Sequence, residues 1–432
     1  MLRNTIRHAG EARPFGSVLQ PKLGQYSAWS RGLAHLARPR TAAGIALLVY
    51  LIRAALSPNG FQRTSNAYFN FLADAFMHGQ LHFRLIPSNT IDLVFHAEKV
   101  YLYSPPFPAF VVMPLVFLFG VGVSDVIYTA ILAALSVGLL AKLLLALNNC
   151  GITALSVERR GILVTTMAFG SPILILAPVG WVSFTAQITG LNCVLLATIA
   201  ALTGRGRRAY FLAGFALGCA LATRNGLIFN GVWLAYFMLK RDQALSKGWR
   251  LTAVLSGLAP IVAVGVLLCL YSVARFGHPL ETGLAWHKMN PIFRADFDRY
   301  GVSNLHYLPI NLYYQFVAYT VLTTRQWYGG GIFWMAPVLL GAPYALWKHH
   351  RAPVVCALAL TCVLAYIPIG LLMGTGYLTY GPRYLVDLIV PLVTLTAIGI
   401  QRWSLTLLHT LLMISCLTYI LGPVLWAMFV YI

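Results

Sequence analysis

Apolar runs of about 20 residues, nearly free of charge, recur along almost the whole of this chain, and few folds can accommodate them. They fall at 42–57, 124–147, 160–178, 182–203, 208–222, 225–240, 250–275, 329–347, 353–373, 384–400 and 405–430. One soluble core cannot bury so many, and backbone in lipid must satisfy its own hydrogen bonds, so each run is expected to be a helix. Of the 432 residues, 59% are hydrophobic and only 10% charged, where soluble domains carry about 25%. The expected fold class is an all-α polytopic integral membrane protein with about 11 transmembrane helices.

The net charge of +20 does not signal nucleic acid, because no DNA- or RNA-binding motif accompanies it. The basic residues lie in short connectors, such as Arg159-Arg160, Arg205 to Arg208, Lys240 to Arg250 and Lys348 to Arg351, and in residues 1–41. Those 41 residues hold seven Lys/Arg against one acid, Glu11, and read as a basic cytoplasmic tail. Seven cysteines without a CxxC pair read as packing residues. A further apolar run, 106–121, holds Pro106, Pro108 and Pro114. If it crossed the membrane, Arg159 and Arg160 would fall outside. A helix parallel to the outer surface puts every basic connector inside. The expectation is therefore one transmembrane domain over 42–432, with large outer loops at 58–123 and 276–328. The N-terminus would be cytoplasmic and the C-terminus outside, in a bacterial cytoplasmic (inner) membrane.

The outer face then gathers the polar chemistry. Residues 66–79 read as an amphipathic helix on the outer leaflet, with Tyr68, Phe69 and Phe76 on its apolar face. Asp74, His78 and His82 follow at i, i+4 and i+8, a spacing open to a divalent metal, but Gly79 ends the helix before His82. No metal or other cofactor is expected. Asp92 and Glu98 lie in a non-helical stretch before Tyr101 and Tyr103. A carboxylate there can serve as general base toward an acceptor hydroxyl, and the plainer reading is a solvated loop acid. Arg224 and Arg383 each stand at the outer end of an apolar run. An arginine fork matches phosphate oxygens, whereas the plainer alternative is snorkelling to headgroups. Tyr68, Tyr103, Trp286 and Tyr384 are candidate substrate contacts, because aromatic rings stack on sugars or anchor at the interface.

The order of these elements resembles the GT-C superfamily of polyprenyl-phosphate-sugar-dependent membrane glycosyltransferases, of the protein-mannosyltransferase and aminoarabinose-transferase type. The resemblance rests on Tyr68 and Gly79 of the first outer helix, on Pro105-Pro106 leading to Phe119-Gly120, on Ala222-Thr223-Arg224 and on Gly381-Pro382-Arg383-Tyr384. It implies transfer of a sugar from a polyprenyl-phosphate donor to an acceptor hydroxyl at the outer face. Asp92 or Asp74 would act as base, and Arg224 and Arg383 would hold the leaving phosphate. The implied partners are the lipid-linked sugar and the bilayer. One departure stands out. The family places an acid about four residues before the Tyr of that helix, and this chain has Thr64. A lipid-linked-glycan flippase or transporter, and a catalytically silent GT-C-like binding protein, are the competing readings.

Overall fold

A computed structural model describes residues 28–319, 330–376 and 379–430. Most of the expected tail, and Arg325 of the second outer loop, lie outside the described residues. The first helices are α1 (Ala28–Leu36), α2 (Pro39–Ala55), α3 (Tyr68–Met77), α4 (Phe107–Phe119), α5 (Asp125–Asn149) and α6 (Val157–Phe169). Next come α7 (Ile173–Leu176), α8 (Val182–Thr203), α9 (Gly206–Leu221), α10 (Gly231–Arg241), α11 (Lys247–Phe276) and α12 (Arg294–Tyr300). The chain closes with α13 (Leu308–Leu312), α14 (Ile332–Met335), α15 (Gly341–His349), α16 (Pro353–Gly370), α17 (Ile389–Gly399) and α18 (Leu405–Val430).

Each apolar run is helical, though several are broken. Helix α2 begins at Pro39, inside the expected tail, and α1 precedes it. The run at 225–240 starts as a 3-10 turn, Asn225–Asn230, before α10, and the run at 384–400 starts as another, Arg383–Leu388, before α17. Among the described residues, six segments are long and apolar enough to cross a membrane: α5, α8, α11, α16, Arg383–Arg402 and Leu405–Val424. Helix α4 has 13 residues, about 20 Å at 1.5 Å per residue, which is short of a hydrocarbon core of about 30 Å.

Serine caps set three helix starts: Ser124, Ser156 and Ser246 accept from the backbone N–H groups of Ile127, Arg159 and Trp249. Helices α5 and α8 are joined by hydrogen bonds across their interface, Thr129 to Thr185 at 2.7 Å and Ser136 to Asn192 at 2.9 Å. Such bonds add to van der Waals packing where the hydrophobic effect is absent. Helices α9 and α11 touch at Gly214 and Gly257, where a β-carbon on Gly214 would collide with the Gly257 carbonyl.

The all-α expectation omits one element. Strands β1 (Leu93–His96) and β2 (Lys99–Leu102) form an antiparallel hairpin, and β3 (His287–Lys288) pairs with the other edge of β1. The hairpin turn is Ala97-Glu98, both at positive φ (48° and 58°), the geometry of a two-residue type I′ turn normally filled by Asn-Gly. With neither residue present, nothing in the local sequence announces it. This sheet brings the segments 58–123 and 276–328 together.

Candidate active site

Thr64, at the position where the resemblance asks for an acid, is tied to one. Its backbone N–H donates to Asp125 Oδ1 at 2.8 Å, and its hydroxyl donates to Asp125 Oδ2. Trp181 N–H donates to the same carboxylate at 3.0 Å. Asp125 is fully buried in the first turn of α5, so the carboxylate also complements the helix N-terminus. Gly180, at φ +75°, keeps the approach open, because a β-carbon there would press on the Asp125 carboxylate. Three donors on one buried acid make a latch between the 58–67 segment, α5 and the 180–181 turn.

Asp92 is held differently. Tyr68, fully buried on α3, donates its hydroxyl to the Ile91 carbonyl at 2.7 Å. The Asp92 N–H donates to Lys288 O across the β1–β3 edge at 2.8 Å. These bonds hold Asp92 at φ +66°, a region that costs an L-residue energy and, when populated, points to a functional constraint. Its side chain is 42% exposed, and His287 Nε2 lies 3.5 Å from Oδ1, the one ion-pair contact of Asp92 among the described residues. His287 in turn packs edge-on to the Tyr103 ring, 4.8 Å between centroids.

Tyr103 is the hub of the cluster. Burial, and then the Asp92 charge, push its pKa well up, while Arg383 and Arg224 pull against them and Tyr384 also contributes. Tyr103 therefore stays a protonated phenol, with Asp92, Arg224, Arg383 and Tyr384 all inside its electrostatic range. Burial and Asp92 raise the Tyr68 pKa in the same way. The start of α4 is bonded to the end of α9, Phe107 N–H to Ala222 O at 2.9 Å, which sets Tyr103 beside the Arg224 turn.

Two guanidinium groups lie near the Tyr384 ring, Arg224 Cζ 5.7 Å and Arg383 Cζ 4.7 Å from its centroid. Arg224 forms a 2.8 Å ion pair with Asp387. Burial opposes the Arg224 charge and Asp387 more than offsets this, leaving its pKa above the ordinary value. Arg383 is 8% exposed and makes no ion pair among the described residues. It donates Nε to Gly376 O at 2.6 Å and accepts Gln187 Nε2 on its own carbonyl at 2.9 Å. Arg383 Nη1, Asp387 Oδ1 and Gln187 Oε1 are buried without a partner. Unmet donors and acceptors of this kind are expensive unless a ligand fills them.

Two cavities adjoin the cluster. One of about 250 Å³ and mixed lining has Tyr103, Asn225, Ser272 and Arg275 in its wall beside Leu221 and Leu268. Arg275 is 7% exposed, donates Nη1 to Leu102 O at 2.8 Å and stacks over Tyr271 at 3.7 Å, but pairs with no carboxylate among the described residues. An apolar groove of about 610 Å³ runs along Leu385, Leu388, Leu392 and Leu395, the continuation of the Arg383 segment, facing Tyr366 and Phe316.

The structure thus gathers Asp92, Tyr103, Tyr384, Arg224 and Arg383, and leaves the other candidates elsewhere. Asp74 faces Arg84 (3.4 Å) and His78 (3.6 Å) and acts on neither Tyr68 nor Tyr103. Among the described residues no three potential ligands assemble around Asp74 and His78. Tyr68 has no exposed surface to offer a substrate. The Trp286 ring packs on His96 and Phe276, 4.0 and 5.9 Å between centroids. Sequence reasoning missed Asp387, His287, Arg275 and the latch role of Asp125. Asp387 carried a readable signal, an acid four residues after Arg383 in an otherwise apolar run.

No protein-family model and no curated protein sequence matches the chain. Solved structures do. ArnT from Cupriavidus metallidurans in the apo state aligns with a TM-score of 0.50 at 16% identity, over 86% of this chain and 60% of that one. An Archaeoglobus fulgidus oligosaccharyltransferase solved with zinc and sulfate aligns with a TM-score of 0.50 at 12% identity, over 90% of this chain and 53% of that one. ArnT bound to undecaprenyl phosphate aligns with a TM-score of 0.47 at 16% identity, over 84% and 59%. The chain spans about three fifths of the length of the ArnT structures it matches. It is a multi-pass membrane protein that shares the fold of these solved structures.

Proposed function

We propose that the protein is a membrane glycosyltransferase that moves a sugar from a polyprenyl-phosphate donor to an acceptor hydroxyl. The observation that carries this reading is the convergence on Tyr103 of one under-coordinated carboxylate, Asp92, and the Arg224–Tyr384–Arg383 stack. The apolar groove continuing from Arg383 suits a polyprenyl tail, and undecaprenyl phosphate is the lipid that the ArnT structure holds.

In this reading Asp92 takes the proton of the acceptor hydroxyl as its oxygen attacks the anomeric carbon. The bond from that carbon to the phosphate oxygen breaks, and the lipid phosphate leaves with the electron pair. Arg383 and Arg275 hold no carboxylate among the described residues, so the developing phosphate charge is assigned first to them. Arg224, neutralised by Asp387, fixes Tyr384 and the turn around it. His287 orients the Asp92 carboxylate. Protonated Tyr103 supplies a donor beside the leaving group.

The test is turnover of a polyprenyl-phosphate sugar by the purified protein against a panel of hydroxyl acceptors. Asp92→Asn should abolish turnover with donor binding retained, and Arg383→Gln should raise the donor KM by about tenfold, ~1.4 kcal/mol. Full activity in Asp92→Asn refutes the assignment. A second reading, a silent binder of the same lipid, draws on Thr64, whose hydroxyl is committed to Asp125. Donor binding without product from any acceptor would support it.

A further inference from the structure

We propose that the helix trio α9–α10–α11 holds an anionic phospholipid, at a site separate from the Tyr103 cluster. An apolar groove of about 430 Å³ runs between these helices, from Ile228 and Phe229 to Tyr210, Met238 and Leu239. Its stretch along 228–239 is about 16 Å at 1.5 Å per residue, suited to one acyl chain.

The charge at one end selects the headgroup. Each helix carries basic residues near the groove's Tyr210 end: Arg207 and Arg208 on α9, Lys240 and Arg241 on α10, and Arg250 on α11, four residues before the groove-lining Val254. Asp242 is the one acid among residues 205–250, and it is taken. It pairs with Arg241 at 3.0 Å and accepts the Tyr210 hydroxyl at 3.0 Å. Arg241 also donates to the carbonyls of Ala201 and Gly204. Arg250 is different. It acts electrostatically on Tyr210, which lines the groove, yet its Nε is buried without a partner and it joins no ion pair among the described residues. Trp249 beside it packs edge-on to Tyr210, 6.2 Å between centroids, the aromatic–basic pairing that suits a headgroup boundary.

A phosphodiester at Arg250, with its acyl chain along the groove, meets both demands. It supplies the missing counter-charge and covers apolar wall that no side chain covers. Two neutral tails and a zwitterionic headgroup would leave the surplus positive charge of this end unanswered.

Native mass spectrometry of the full chain, with phosphatidylglycerol and phosphatidylcholine of identical acyl chains as probes, tests the site. The expected result is retention of one phosphatidylglycerol at least tenfold more tightly than phosphatidylcholine. Arg250→Gln should erase most of that preference, and Arg402→Gln, a basic position outside the trio, should leave it intact. Ala235→Trp, which fills the groove wall, should weaken both lipids, and millimolar inorganic phosphate should displace neither. Equal retention of the two lipids overturns the proposal, as does an equal effect of Arg402→Gln. A thermal melt accompanies each variant. If Arg250→Gln does not fold, the Ala235→Trp arm and the lipid comparison on the unaltered chain decide.

Discussion

Asp92 and Asp125 stand within and just beyond the same segment, 58–123, and their surroundings are opposites. Asp125 is fully buried and accepts from the Thr64 N–H, the Thr64 hydroxyl and the Trp181 N–H. Asp92 is 42% exposed and has one ion-pair contact among the described residues, His287, at 3.5 Å. A carboxylate buried away from solvent and held by three donors is poorly placed to take a substrate proton. Its energy is spent on holding chain segments together. A carboxylate held by its backbone, at an unfavourable φ, with oxygens left open, is positioned for chemistry. Under the proposed function, Thr64 marks a changed division of labour rather than a lost base: it donates to a structural acid, and the open carboxylate stands 28 residues later.

The largest expected effect breaks the Asp125 side of this contrast. Asp125→Ala leaves three donors without their acceptor, two of them backbone N–H groups, and should destabilise the protein by about 3–5 kcal/mol. A thermal melt in detergent reads this, and an unchanged melting temperature would show that the latch is not structural. Asp92→Asn should do the reverse. Asn tolerates positive φ better than most residues, so the fold and its melting temperature should persist, while sugar transfer falls by about 10²–10⁴, the usual loss when a general base is removed. Steady-state turnover with intact donor binding is the measurement. Equal loss of stability in both variants would collapse the distinction.

What could be read without coordinates divides along physical lines. Apolar length and charge are local properties, so the helical runs are legible; 182–203 coincides with α8 and 250–275 lies within α11. Arg224 and Arg383 were legible because a cation at the end of an apolar run is conspicuous. The pairing of Arg224 with Asp387, 163 residues apart, is a tertiary fact that no window along the chain contains. The β1–β2–β3 sheet was hidden for two reasons. Its strands are two to four residues long, and its turn uses Ala97-Glu98 at positive φ instead of residues that prefer it. Without that sheet, His287 cannot be placed on Asp92. In sequence Asp92 ranks ahead of Asp74 as a base, and what separates them in space is tertiary: Asp74 faces Arg84 and His78, whereas Asp92 sits on the β1–β3 edge beside His287.

A middle-sized effect is expected at His287. Its Nε2 is buried without a hydrogen-bond partner, facing Asp92, and its ring steadies Tyr103. Because it acts through Asp92, it is a positioning residue. His287→Gln should lower kcat by about tenfold, ~1.4 kcal/mol, with the donor KM unchanged. A change confined to KM would place His287 on the substrate instead.

The smallest effect sharpens the contrast by adding a third acid, from the same segment. Asp74 is neither a latch nor an open base. Its oxygens face Arg84 at 3.4 Å and His78 at 3.6 Å, and those partners are 36% and 49% exposed. Pairs so open to water contribute about 0–1 kcal/mol, because solvent and salt screen them and the side chains lose freedom on pairing. Asp74→Asn should therefore shift the melting temperature by no more than a few degrees and leave turnover within about twofold. Raising the salt concentration should shrink even that shift, since the parent pair is itself screened. If turnover instead falls as far as in Asp92→Asn, the base lies on α3, and the geometry around Tyr103 serves donor binding alone.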